Sequence, residues 1–197
     1  MSAVASPTPA PGKTAVLIID MINDLDFEGA EELAPVALRI AERIAALREA
    51  ADRSGVPVVY VNDHFGQWHS ERSKLVEHCQ AAHEDARTLI ATAGPREGDY
   101  FVIKPMHSGF YSTNLPVLLP KLGASRLILT GIAADICVLF TAADAHMRDY
   151  EIWAPEDCLG ARTAERTGWA LEIMRTAMSA RTEAFSDETL QAWIAEA

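Results

Sequence analysis

The sequence predicts an α/β domain, a three-layer α/β/α sandwich with a six-stranded, mostly parallel sheet. Three observations predict it. Strand-like and helix-like segments alternate from Thr14 to the end of the chain, which is the pattern of helices packed on both faces of a sheet. The strand-like runs are continuously apolar and β-branched rather than alternating, as expected where both faces are covered. Several of these runs stop abruptly at a charged residue or at glycine.

The elements follow in order. Thr14–Asp20 reads as a fully buried strand, and Glu31–Ser54 as a helix of Ala, Leu and Arg stopped by Gly55 and Pro57. Val56–Val61 is the second strand, and Asn62–Ser70 a polar-aromatic loop. Ser70–Ala93 is helical but weakly patterned, and Gly94-Pro95 ends it. Tyr100–Lys104 is the third strand, closed by Pro105; Thr113–Leu122 is a helix expected to kink at Pro116. Arg126–Thr130 is the fourth strand, Asp135–Asp149 a helix, Tyr150–Ala154 the fifth strand and Thr163–Ala180 an amphipathic helix. Thr182–Phe185 reads as a short sixth strand, and Ser186 caps a last helix with Asp187 and Glu188 in its first turn.

The chain has 197 residues and is 49% hydrophobic, enough for one core rather than two. We therefore expect a single domain over residues 13–197, preceded by a disordered Ala/Pro/Ser/Thr-rich tail over residues 1–12. The tail has neither the basic start nor the apolar run of a signal peptide. The net charge of −11 argues against nucleic acid and against anionic membrane surfaces. No apolar run approaches a membrane span. Three widely spaced cysteines, Cys79, Cys137 and Cys158, form neither a disulfide framework nor a CxxC pair. A cytoplasmic protein acting on a small molecule is the expectation.

Three polar residues stand where strands end. Asp20 closes the first strand, Lys104 closes the third, and Cys137 lies on the turn where the fourth strand passes into a helix. Open parallel sheets bind ligands at the carboxyl ends of their strands. An acid, a cation and a thiol there form an active-site pattern. Each has a plainer reading as well. Asp20 can cap the following turn, Lys104 can pair with a surface acid, and free cysteine is often simply buried. Cys79 and Cys158 fit that last reading. Cys137 differs because a helix start favours thiolate. Asn23 and Asp24 are placed to order the loop after the first strand.

Three blocks carry a resemblance. Leu17-Ile-Ile-Asp-Met-Ile-Asn-Asp24 looks like an apolar strand followed by D-x-x-N-D. Lys104-Pro-Met-His-Ser-Gly-Phe-Tyr-Ser-Thr-Asn-Leu115 matches K-x-x-x-S-x-F-x-x-T-x-L. Thr130-Gly-Ile-Ala-Ala-Asp-Ile-Cys-Val138 looks like T-G-x-x-T-D-x-C-V. In order, spacing and strand context the chain resembles the isochorismatase-like cysteine hydrolase superfamily, which includes nicotinamidases and other amidohydrolases, from about residue 13 to residue 185.

The resemblance implies a sheet in Rossmann-like order with the first and fourth strands adjacent. It implies a triad of Asp20, Lys104 and Cys137, and a cis peptide between Ile132 and Ala133. It also implies an oxyanion hole made by the N–H groups of Ala133 and Cys137. The implied activity is hydrolysis of a small amide, carbamoyl or related C–N bond through a thioester, without a cofactor. Leu25, Trp68, His107 and Phe110 become the candidate substrate pocket, and a homo-oligomer, dimer or tetramer, is expected. An isochorismatase-type vinyl-ether hydrolase is the alternative enzyme, but such relatives typically lack the cysteine. A non-catalytic ligand-binding member would have no use for an intact triad.

Departures from the pattern matter for the substrate. Ala134 replaces the usual Thr, and Leu25 the usual Phe. Nicotinamidases carry D-x-H after the second strand for a metal ion. Here Asp63 aligns, but Phe65 stands at the histidine position. His64 and His69 are badly spaced to replace it, so no metal is expected.

Overall fold

A computed structural model describes residues 13–64 and 71–196. Five strands, β1 (Lys13–Ile19), β2 (Val58–Asp63), β3 (Tyr100–Lys104), β4 (Ala124–Gly131) and β5 (Glu151–Trp153), form one sheet in the order β3-β2-β1-β4-β5. Every pairing is parallel. The helices are α1 (Ala30–Arg53), α2 (Arg72–Ala81), α3 (Glu84–Ala93), α4 (Leu115–Lys121), α5 (Leu139–His146), α6 (Ala164–Ala177) and α7 (Asp187–Ala195). None of them is long and apolar enough to cross a membrane.

The strand pattern explains the layers. Successive side chains of a strand point to opposite faces. Val16, Ile18, Val58, Tyr60 and Ile128 join one core, which packs on Ile40, Ile44 and Leu47 of α1, Leu89 of α3 and Trp193 of α7. Ala15, Leu17, Ile19, Val59, Val61 and Leu129 join a second core with Leu115 and Leu119 of α4, Ala142 of α5 and Met174 of α6. A strand buried on both sides must be apolar at every position, and β1 is buried from Thr14 to Ile19.

Four expectations are corrected. Thr182–Phe185 is not a strand. Arg181 makes an isolated bridge to Trp153 and Glu156 N–H reaches Thr182 O at 3.2 Å, but Phe185 N–H then donates to the Asp157 carboxylate at 2.8 Å. A side chain has taken over the hydrogen bonding that a ladder needs. The helix expected over residues 70–93 is two helices, because Ala82 and His83 are extended; Glu84 and Asp85 then face the positive start of α3. Pro116 does not kink α4. It sits in the first turn, where a missing N–H breaks no helical bond. The helix expected from Asp135 opens as a π-helical turn over Ala134–Val138 before α5 begins.

Between β4 and that turn lies Gly131, with φ of 112°. A Cβ at this position would come within 2.0 Å of the Ile19 carbonyl oxygen, and Ile132 N–H donates to that same oxygen at 3.1 Å. Only glycine lets the end of β4 lie this close to the end of β1. Gly131→Ala is expected to destabilise the fold by more than about 3 kcal/mol. Urea denaturation followed by circular dichroism checks this, and Gly55→Ala, in open space at φ 67°, should cost much less.

Candidate active site

Asp20 follows β1 with φ of 52°, a conformation that aspartate tolerates better than most residues. Its amide donates to Val61 O at 3.0 Å, and its carboxylate accepts the Asp63 N–H at 2.7 Å. The carboxylate is thus held by the end of the neighbouring strand. Lys104 ends β3, two strands away from β1, and strands are spaced about 4.8 Å apart. Only a long side chain crosses that gap. The Lys104 side chain is fully buried, with Nζ 2.9 Å from Asp20 Oδ2, 3.4 Å from Asp63 Oδ2 and 3.4 Å from Cys137 Sγ. The Lys104 ammonium thus stands between the Asp20 carboxylate and the Cys137 sulfur. The three residues singled out at strand ends therefore meet at one point.

The charges there follow from burial. Desolvation pushes the Asp20 carboxyl up from its ordinary pKa, although the Lys104 ammonium opposes the shift. Burial works against the Lys104 ammonium, but Asp20 and then Cys137 overcome it, and its pKa is raised. Burial first and the Asp20 charge second push the Cys137 thiol up, against Lys104. A standing thiolate was the expectation at a helix start, and this direction reverses it. Lys104 is shared between two carboxylates, and what remains of its field does not hold a third anion.

Around Cys137 the chain is tied down by named bonds. The Ile132–Ala133 peptide is cis. The N–H groups of Ile132 and Ala134 donate to Ile19 O and Gly160 O at 3.1 and 2.7 Å, while Ile136 N–H donates to Ala133 O. Asp135 pairs with Arg166 of α6. Thr141 Oγ1 donates to the Cys137 carbonyl at 2.7 Å and accepts the Gly109 N–H at 3.0 Å. Ser108 Oγ donates to Asp144 at 2.5 Å and accepts the Phe110 N–H. Thr113 Oγ1 donates to Gly109 O and accepts the Leu115 N–H at 3.1 Å. The motif after Lys104 is thus a frame that fixes one loop to the helix behind Cys137. Thr141 and Asp144 were missed in the sequence. Their spacing from Cys137, four and seven residues, is one helical stripe and was the available signal.

The candidate pocket residues separate. Leu25 and Phe110 are 5% and 3% exposed and belong to the cores, Phe110 beside Tyr150 with Arg148 over its ring. Both pack within the cores. His107 is exposed, its ring 5.5 Å from that of Phe140. Trp68, Phe65 and His69 lie outside the described residues. Among the described residues no group of three or more His, Cys, Asp or Glu side chains is placed to hold a metal ion. Asp63, the aligned metal-site acid, lies 3.4 Å from the Lys104 ammonium.

A parallel sheet carrying a thiol, a carboxylate and a buried ammonium at its carboxyl edge defines a class of α/β domain with its chemistry on strand ends. Comparison with known proteins narrows this. Residues 14–195 match the isochorismatase domain, and the chain belongs to the isochorismatase family. It is 41% identical over 166 residues to the isochorismatase family protein YaaI of Bacillus subtilis, covering 84% of this chain and 91% of that protein. It is 30% identical over 170 residues to the ureidoacrylate amidohydrolase RutB of Serratia proteamaculans, covering 72% and 67%. The crystal structure of N-carbamoylsarcosine amidase from Thermoplasma acidophilum superposes with a TM-score of 0.67 at 31% identity, over 87% of this chain and 96% of that one. Two of these three relatives are an amidohydrolase and an amidase by name.

Alkylation tests the protonation state directly. Because the thiol is held protonated, iodoacetamide labelling of Cys137 should be slow at neutral pH. It should climb about tenfold per pH unit with no plateau below about pH 10. Asp20→Asn removes one charge that holds the proton on sulfur, so labelling at neutral pH should rise by more than about tenfold. A plateau near neutral pH in the unsubstituted protein would mean a standing thiolate. Cys79, whose thiol is pushed up to about 12 by burial and Asp24, is an internal control that should label only on unfolding.

Proposed function

We propose that this protein is a cysteine-dependent hydrolase of a small amide, carbamoyl or related non-peptide C–N bond. The observation that carries the reading is the contact of the buried Lys104 ammonium with both Asp20 and Cys137 at one point of the sheet edge. Ureidoacrylate and N-carbamoylsarcosine, named for the two hydrolase relatives, each offer a carbamoyl nitrogen as the leaving group.

The proposed mechanism starts from a neutral thiol. As Sγ of Cys137 attacks the carbonyl carbon, its proton passes to the Asp20 carboxylate, which lies beside the same Lys104 ammonium. A carboxyl whose pKa is raised by burial is a better acceptor for that proton than an exposed one. The carbonyl oxygen gains the negative charge. The N–H groups of Ala133 and Cys137 are assigned to receive it; those of Ile132 and Ala134 are engaged by Ile19 and Gly160. Asp20 then gives its proton to the nitrogen as the C–N bond breaks, which releases an amine or ammonia and leaves a thioester on Cys137. Water attacks the thioester, Asp20 takes the water proton, and sulfur regains a proton as the acid departs. Lys104 keeps Asp20 placed and charged between steps.

Cys137→Ala should lower turnover of any accepted substrate by more than about 10⁴-fold while leaving the fold intact. Ammonia release from a panel of primary amides and carbamoyl compounds finds the substrate. Intact-mass measurement after acid quenching should find an acyl adduct on Cys137 and none on Cys158. Persistent amine release by Cys137→Ala would overturn the reading.

A further inference from the structure

The pairing of β1 with β2 stops at Ile19, opposite Val61. The last three residues of β2 then hold the chain beyond β1 in three different ways. Val61 O accepts the Asp20 N–H at 3.0 Å, and the Asp63 N–H donates to the Asp20 carboxylate at 2.7 Å. Between them, Asn62 uses its side chain. Its Nδ2 donates to Ile22 O at 2.7 Å, and its Oδ1 accepts the Ile22 N–H at 3.1 Å. Asn62 and Ile22 are both fully buried. A buried peptide group that has left the ladder still needs a donor and an acceptor. Among side chains this short, the amide of asparagine offers one of each in a single plane. Leucine has the same shape and neither group.

The loop held in this way is strained. Asp20 and Leu25 have positive φ, 52° and 55°, though neither is glycine. Such conformations persist where the surroundings over-determine them. Asn23 Oδ1 accepts the Leu25 N–H at 2.8 Å, and Asp24 meets His78 of α2 at 2.8 Å. Neither of these bonds reaches the sheet, whereas those of Asn62 do. Asp20 is therefore fastened on both sides, by its own amide and by the Ile22 peptide group two residues on, with its carboxylate 2.9 Å from Lys104 Nζ. We propose that Asn62 is a positioning residue for Asp20. By pairing with the Ile22 peptide group it fixes the turn that sets the Asp20 carboxylate against Lys104, and with it the proton transfer assigned to that carboxylate. Its effect on turnover rests on the hydrolase reading. Its effect on Cys137 does not, because alkylation needs no substrate.

Asn62→Leu keeps the shape and removes both bonds. Iodoacetamide labelling of Cys137 at neutral pH should rise by more than about threefold, in the direction of Asp20→Asn, because a displaced Asp20 holds the proton on sulfur less firmly. The double variant Asn62→Leu, Asp20→Asn should label within about twofold of Asp20→Asn alone, since the clamp acts through that carboxylate. A general loosening of the site would add to the Asp20→Asn effect instead. Buried Cys79 should stay unlabelled throughout, the sign that the fold holds; if it labels in Asn62→Leu, Asn62→Ser carries the same expectations. On any accepted substrate kcat should fall by more than about 30-fold, with KM within about threefold. Unchanged Cys137 labelling in Asn62→Leu, or additive effects in the double variant, would overturn the proposal. Labelling as expected with kcat unchanged would uphold the clamp and count against Asp20 as the proton carrier of the hydrolase reading.

Discussion

The buried Lys104 ammonium is the constraint on which the rest of the structure depends. A fully buried cation is tolerated only with anionic partners at hydrogen-bonding distance. Its partners come from different strands, Asp20 from the end of β1 and Asp63 from the end of β2, while Cys137 comes from the turn after β4. Parallel pairing sets Asp63 level with Lys104, and the Asp63 amide holds the Asp20 carboxylate. Removing the ammonium would leave the buried Asp20 carboxylate uncompensated, a loss of about 3–5 kcal/mol for pairs of this kind. Site geometry and sheet register are therefore one problem and not two.

That dependence explains why so much hydrogen bonding surrounds Cys137 without touching its sulfur. The thiol must stay near an ammonium fixed by the far edge of the sheet. Thr141 ties the Cys137 carbonyl to the Gly109 amide, five residues beyond Lys104, so the two arms of the site share a strut. Gly131 lets β4 lie against Ile19 just before Asp20, which brings the third arm close. Ser108 and Asp144 brace the loop from behind. The Thr141 strut is a side chain bonded to backbone at both ends, so it fixes the path of the chain and not just one rotamer.

Much of this was legible in the sequence, for a physical reason. Strand ends are marked by abrupt changes in polarity, so Asp20, Lys104 and Cys137 stood out without any knowledge of pairing order. Where the pattern misled, a longer-range interaction had overridden a local one. Thr182–Phe185 has strand-like residues, but the Asp157 carboxylate captures its last amide. Leu25 and Phe110 lie within motifs and pack into the two cores. The division of residues 70–93 into two helices turns on two extended residues that no composition reveals. The partnership of Asp63 with Lys104 needed the register of β2 and β3, which spacing along the chain does not contain.

The protonation state of the thiol follows from the same register. Were Cys137 a thiolate beside two ionised carboxylates, one ammonium would face three anions in a desolvated space. Keeping the proton on sulfur removes one of them, which is why burial and Asp20 together outweigh Lys104 and the helix start. For the hydrolysis proposed here, that choice has a consequence. A thiolate formed in advance by loss of its proton to solvent would leave Asp20 with no proton to give the departing nitrogen, whereas a neutral thiol brings one. Asp20 needs only to move that proton from sulfur to nitrogen, across a site whose net charge stays constant.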